Sequence, residues 1–302
     1  MPTLYQQAES NIHKTWLLIS LFFGFVIMLG WLFSRVYGSP EILFFAVMFS
    51  SAMSIASYWW SDRIVLALHQ ARPIEKKDNP EFYRIVENLA LTMGLPMPRL
   101  FMLPSHALNA FATGRDPAHG VVAVTEGIMR TLEKSELEGV LAHEMSHIGN
   151  RDTLVSTVVA ILAGLVVLLA DWFFRFSFFG GRGRRDREGG GSAGIIFLAL
   201  GILFALLAPL AAQMIQFAVS RRREFLADAA GALVTRYPEG LARALEKISY
   251  APKLEMASNA TAHLYIASPL AGRDGRVSWF AKLFMTHPPI EERIAALRGI
   301  KI

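Results

Sequence analysis

The sequence predicts a mainly α-helical membrane protein: four hydrophobic helices carrying a small polar domain of helices with a little β-sheet. Three observations predict it. Hydrophobic residues make up 53% of the 302-residue chain and charged ones only 18%, where soluble domains carry about 25% charged. The mean hydropathy is +0.36. Four uncharged apolar stretches account for the excess, and the remainder shows amphipathic periods punctuated by turn residues. This composition excludes a disordered chain, a collagen and a disulfide-stapled scaffold. With no cysteine, thiol catalysis and thiolate metal ligation are also excluded, leaving His, Asp and Glu for any metal. The net charge of 30 − 25 = +5 suits positive loops beside an anionic membrane better than a nucleic-acid groove.

Residues 15–34 and 42–61 each reach the length of about 20 residues that crosses the hydrocarbon, and only a short loop separates them. They read as a transmembrane hairpin within residues 1–61, with Trp16, Trp31, Tyr58, Trp59 and Trp60 at belt positions. Residues 62–152 form a first polar block. Asn79-Pro80-Glu81 opens a helix there, Phe82, Ile85, Val86, Leu89 and Met93 give its apolar face, and Gly94 stops it. Short strands are expected at 99–103, 108–113 and 120–125. A second hydrophobic pair, 153–170 and 192–220, occupies 153–220; a buried hairpin of a soluble core is its other reading. The Gly/Arg-rich run 180–191 between them is a solvated linker by composition. Residues 221–302 form a second polar block, with helices expected at 224–235, 238–250 and 288–298 and irregular chain at 258–278. Arg63, Arg72, Lys76 and Lys77 follow the second span against Arg35 alone in the first loop, which places the polar blocks in the cytoplasm. Arg175, Arg182, Arg184, Arg185 and Arg187 disagree with that rule if the second pair crosses fully.

The sharpest chemical signal is His143-Glu144-Met145-Ser146-His147. It lies on a predicted helix with Ser135 as N-cap, Glu138 completing a capping box, and Leu137, Val140, Leu141, Met145 and Ile148 as the apolar stripe. Spaced by four, His143 and His147 project from one face and can share one Zn²⁺, while Glu144 stands beside the ion as a base. No further His follows within 150–157, so a third ligand must be a carboxylate. Glu224, with Asp228 one turn on, can supply it: two His and one Glu leave a fourth position open, as a catalytic zinc site needs. Asp228 can then accept from a ligating imidazole. The other reading pairs Glu224 with Arg221 or Arg223 and leaves Asp228 solvated. His13, His69, His106, His119 and His263 are expected at a membrane edge, on a surface helix or in loops, not on metal.

HEMSH, REFLADAAGA with Glu224 and Asp228, the segment Asn109-Ala110-Phe111-Ala112-Thr113-Gly114 and the closing Thr286-His287-Pro288-Pro289 together resemble the membrane-embedded zinc endopeptidases of the HtpX heat-shock type, relatives of the CAAX prenyl proteases. The resemblance covers essentially the whole chain. It implies a gluzincin-like domain, one Zn²⁺ per chain, a multi-pass position in the bacterial plasma membrane with the active site facing the cytoplasm, and stress-related quality control of misfolded membrane proteins. Its partners are then unfolded membrane proteins and the bilayer, and no nucleic acid. It implies His143, His147 and Glu224 as zinc ligands, Glu144 as general base and Asp228 as partner of His143. Asn109, Ala110, Phe111 and Ala112 become the edge strand that pairs with an extended substrate. His287 becomes an oxyanion-stabilising residue, with Arg293 assisting; a helix-capping position for His287 and a solvated Arg293 are the other reading. A zinc-binding membrane scaffold or chaperone without turnover, and a prenyl-protein endopeptidase, are the rival functions.

Overall fold

The computed structural model describes residues 4–179, 221–251, 266 and 288–300. Two long helices lead: α1 (Leu4–Tyr37) and α2 (Glu41–Trp59). Within them, Glu9–Arg35 and Glu41–Trp59 are long and apolar enough to cross a membrane. Gly30 faces Ala46 so closely that any side chain at 30 would force the pair apart, the small-residue contact by which membrane helices approach. Most of the apolar surface of α2 has no protein cover: Phe44, Phe45, Met48 and Ile55 are exposed, as a lipid-facing helix requires.

The polar domain follows through a short helix α3 (Ser61–Leu68) and strand β1 (Arg72–Pro73). Helix α4 (Pro80–Met93) starts and stops where the sequence signals it. Asn79 accepts from the Phe82 N–H, Pro80 takes the first helical position, and Gly94 ends the helix at φ +64°. Strands β2 (Arg99–Leu103), β3 (Ala110–Thr113) and β4 (Val121–Thr125) complete a sheet of order β1-β2-β4-β3, in which β2 and β4 run parallel and the other pairs antiparallel. The expected strand at 108–113 loses its first two residues. At Asn109 the Thr125 hydroxyl takes the place of a ladder carbonyl and accepts the Asn109 N–H. Strand β4 is buried throughout because both faces of the sheet are covered. Ala110, Ala112, Val122 and Val124 join the core of α4 and the later helices, while Phe111, Val121 and Ala123 pack on Val65 and Leu66 of α3.

Helix α5 (Glu126–Thr131) leads into α6 (Lys134–Gly149), which carries the HExxH run. Its expected N-cap at Ser135 is corrected to Glu133. The Glu136 carboxylate accepts the Glu133 N–H at 2.9 Å and receives Lys247 at 2.7 Å, so the cap closes two residues upstream of the predicted one. The apolar stripe is as expected, with Leu137, Val140, Leu141, Met145 and Ile148 all buried. After α6 the chain turns by 84° into α7 (Asp152–Phe179). The corner is Arg151, at φ +56°, a left-handed conformation that a residue other than glycine adopts only at some cost. Leu154, Val158, Leu162 and Val166 of α7, one ridge of the helix, pack on Ile19, Phe22, Val26 and Leu29 of α1.

With α6 and α7 counted as one bent pair, the described residues hold two or three candidate spans. The expected fourth stretch, 192–220, the linker 180–191 and the irregular segment 258–278 lie outside the described residues, apart from Ile266. Helices α8 (Arg221–Thr235) and α9 (Pro238–Tyr250) pack on α6, and α10 (Ile290–Arg298) packs on both of them. The first helical residue of α10 is Ile290, two positions after the expected start, because Pro288 and Pro289 precede the helix.

Candidate active site

Helices α6 and α8 touch at Gly231. A Cβ there would come within 3.1 Å of the His143 backbone nitrogen, so its absence lets the two axes close. Glu224 and Asp228 lie two turns and one turn before Gly231 on the same face of α8, and both are buried against the HExxH helix. Neither is solvated: Glu224 faces His143 and His147, and Asp228 faces His143 and Arg293.

Nε2 of His143 and Nε2 of His147 stand 3.2 Å apart, and the Glu224 carboxylate oxygens lie 3.8 Å from the first and 3.6 Å from the second. Donors bound at about 2.0–2.1 Å to one tetrahedral ion sit about 3.3 Å from each other, so the three fit a single Zn²⁺-sized cation. Hydrogen bonding supports the fit. His143 Nδ1 donates to Asp228 Oδ1 at 2.9 Å and His147 Nδ1 donates to Asp152 Oδ2 at 3.1 Å. Both rings therefore turn Nε2 into the same space, where a shared cation can replace the proton that His147 carries without one.

Each carboxylate behind a histidine is itself held. Arg293, with no exposed surface, grips Asp228 through Nε at 2.8 Å and Nη2 at 2.7 Å, and donates through Nη1 to the Ile266 carbonyl at 2.9 Å. Asp152 receives Asn11 Nδ2 at 2.8 Å and Arg223 Nη1 at 3.1 Å on its Oδ1.

These neighbours set the protonation of the site. Burial, helped by the Arg293 charge, holds His143 below the usual histidine range. Burial works against charge on His147 too, but there the Asp152 hydrogen bond and the Glu224 charge outweigh it, and the imidazole rises to about 9. Burial, reinforced by Glu224, lifts the Glu144 carboxyl to about 8. For Asp228 burial is outweighed by Arg293, and the carboxyl lies below its usual value. Glu144 takes a backbone hydrogen bond from Ala112, which ties it to β3 rather than to the metal donors.

Among the described residues strand β3 is one of the two edges of the sheet, β1 being the other. Ala110 and Ala112 face the α6 side, Phe111 turns to the opposite face beside His69, and the Asn109 side chain accepts from the Ala110 N–H at 2.9 Å. The outward Ala110 carbonyl accepts the Ile266 N–H at 3.2 Å. Thus His143, Glu144, His147, Glu224 and Asp228 come together, with Ala112 adjoining them. His287 lies outside the described residues. Arg293 is wholly buried and clamps Asp228, which rules out the solvated alternative. His69 is corrected, being buried behind Phe111 instead of sitting on a surface helix. Two contributors were missed. Asp152 stands five residues after His147, out of phase on any straight helix, and only the left-handed Arg151 swings it back. Asn11 is separated from Asp152 by 141 positions; the one signal available was a buried-type polar residue at the start of an apolar span.

A helical hairpin fit to cross a membrane, joined to a buried two-histidine, one-carboxylate cluster with a neighbouring glutamate, defines the class of membrane metalloproteases. The chain belongs to peptidase family M48, whose profile matches residues 76–301. It is 48% identical to a protease HtpX homolog of Syntrophobacter fumaroxidans over 89% of this chain and 93% of the relative. It is 45% identical to the homolog of Thermococcus sibiricus over 95% of each, and 43% identical to that of Caldanaerobacter subterraneus over 99% of each. Among solved structures, Ste24p of S. mikatae superposes with a TM-score of 0.51 at 20% identity, covering 97% of this chain and 67% of that one; this likeness concerns the fold.

Proposed function

We propose that this metalloprotease is a zinc endopeptidase that cleaves misfolded or damaged membrane proteins in stress-related quality control. In this reading His143, His147 and Glu224 hold the ion and Glu144 is the general base. The observation that carries it is the convergence of the two Nε2 atoms and the Glu224 carboxylate within 3.8 Å of one another, with Glu144 one residue along the same helix. The donor set of two imidazoles and one carboxylate is that of catalytic zinc, and when bound the ion supplies Lewis acidity toward water and the peptide carbonyl. Asp228 and Asp152 keep both imidazoles in the tautomer that offers Nε2. Glu144, held by the Ala112 amide, accepts the proton of the attacking water and returns it to the leaving amine. With a cation bound beside it, Glu144 would fall below about 8 and work as a carboxylate at neutral pH.

The β3 edge at 109–112 suits an extended peptide bound through its backbone, which reads sequence weakly. Such a peptide would use the Ala110 carbonyl that now receives Ile266. His287 is assigned to the oxyanion by resemblance. The basic residues after α2 favour a cytoplasmic site in a bacterial plasma membrane.

The test is degradation of unfolded casein by the detergent-purified chain loaded with Zn²⁺, beside Glu144→Gln loaded in the same way. Loss of cleavage in the variant with zinc content unchanged is expected. Equal cleavage by both would leave a zinc-binding scaffold as the better reading.

A further inference from the structure

We propose that Asn11, at the start of the first membrane helix, is a positioning residue of the metal site, so that α1 completes the site as well as anchoring the protein. This rests on the reading of His143, His147 and Glu224 as the metal ligands. Asn11 is 2% exposed and spends its side chain entirely on the far side of the helix interface. Its Nδ2 donates to Asp152 Oδ1 at 2.8 Å and to the Asn150 carbonyl at 3.2 Å, and its Oδ1 faces Arg223 Nη1 at 3.4 Å. Asp152 Oδ2 in turn accepts from His147 Nδ1. The chain Asn11–Asp152–His147 is thus continuous, and it crosses the 84° corner at which α6 gives way to α7.

An amide is the group this corner calls for. A hydrocarbon at 11 would leave Asp152 Oδ1 with Arg223 alone and remove the side-chain donor from the Asn150 carbonyl. A carboxylate at 11 would set two negative groups against each other. In both cases Asp152 is freer to rotate, and the imidazole it orients loses its fixed aim at the ion. Thr15 shows what a packing residue looks like one turn further on: it is fully buried, yet its hydroxyl donates only to the Asn11 carbonyl of its own helix. Asn11 instead reaches residues 139, 141 and 212 positions away.

The experiment uses the full-length protein in detergent. Zn²⁺ affinity is measured by competition with a chromophoric chelator, and the site is probed by the visible absorption of the Co²⁺-substituted form. Asn11→Leu, close in shape, is expected to weaken Zn²⁺ binding about ten-fold, the lower end of what loss of such an outer partner costs, and to alter the Co²⁺ band. Thr15→Val is expected to leave both unchanged. Should Asn11→Leu not fold, Asn11→Asp carries the test: it keeps the shape and the acceptor for Arg223, and is expected to weaken binding at least as much. Parental affinity with an unaltered Co²⁺ band in the folded Asn11 variant, while His147→Ala loses the ion, overturns the proposal and leaves the metal site standing. Parental affinity in His147→Ala overturns the metal site itself, and this proposal with it.

Discussion

The two histidines of the HExxH helix are oriented in different ways. His143 donates to Asp228, and everything that holds Asp228 belongs to the polar domain: Arg293 grips it with two hydrogen bonds and is itself pinned to the Ile266 carbonyl. His147 donates to Asp152, and what holds Asp152 comes from the membrane helix α1 and from the first turn of α8. The His143 side is sealed, with His143 at 1% and Arg293 at 0% exposed, while the His147 side chain keeps 15% of its surface. One half of the site is therefore supported wholly within the polar domain. The other draws part of its support from the membrane anchor.

The largest expected effect tests the closure of the first half. Arg293→Met leaves Asp228 as a buried charge with no cation beside it, held by the neutral His143 alone, which should cost about 3–5 kcal/mol. Arg223→Met removes one of the two donors on Asp152 Oδ1 and leaves Asn11 there and His147 on Oδ2, which should cost about 1–2 kcal/mol. Thermal or denaturant unfolding in detergent compares them. Equal losses would mean that the two carboxylates are supported alike and that the division is only one of sequence distance.

The second effect is on protons. His143 lies below the usual histidine range and is neutral at pH 7, whereas His147, at about 9, still carries its proton. A metal needs both imidazoles neutral, so binding near neutrality displaces a proton from the His147 half alone, and one more from Glu144 at about 8. In Glu144→Gln, apparent Zn²⁺ affinity should rise about ten-fold per pH unit between pH 6 and 8, the signature of one displaced proton. Adding Asp152→Asn removes the group that raises His147, and the slope should flatten. Asp228→Asn should lower affinity and keep the slope. Chelator competition across that pH range decides it, and a slope untouched by Asp152→Asn would sink the assignment.

What was legible in the sequence is what depends on local rules. The Asn79-Pro80-Glu81 start, the Gly94 stop, the strand at 99–103 and the apolar stripe of α6 each follow from a few adjacent residues and a period. The i, i+4 spacing of Glu224 and Asp228 sufficed to place them on one face. The illegible parts depend on partners remote in the chain. The Glu136 carboxylate that closes the α6 cap at Glu133 is itself held by Lys247, 111 positions away. The left-handed residue of the corner is Arg151 and not the nearby Gly149, so Asp152 reads as the mere beginning of a hydrophobic run. Arg293 sits on an amphipathic helix where an arginine is ordinarily solvated, and carboxylates remote in the chain, Asp228 from 65 positions earlier together with Glu224, draw it inward. The half of the site supported across the membrane interface is thus also the half that sequence reasoning recovered least.

The smallest effect asks how far that dependence extends along α7. Thr113, at the end of β3, shares a 2.9 Å hydrogen bond with Thr157 on α7, and Thr157 also donates to the Thr153 carbonyl at 2.6 Å. Thr113 is therefore the donor of the pair. Thr153 in turn donates to the Gly114 carbonyl at 2.9 Å, so two hydroxyls lash the edge strand to the first turns of α7. Thr113→Val deletes one of these bonds and leaves Thr157 still satisfied by Thr153, which should cost about 1 kcal/mol of stability. If α7 is positioned by its corner, through Asp152, Asn11 and Arg223, zinc affinity in Thr113→Val should equal that of the parent. If affinity falls with stability, the sheet edge also aims His147, and the polar domain supports both histidines after all. Unfolding and chelator competition on the one variant separate these outcomes, because the hydroxyl lost touches neither the ligands nor the carboxylates behind them.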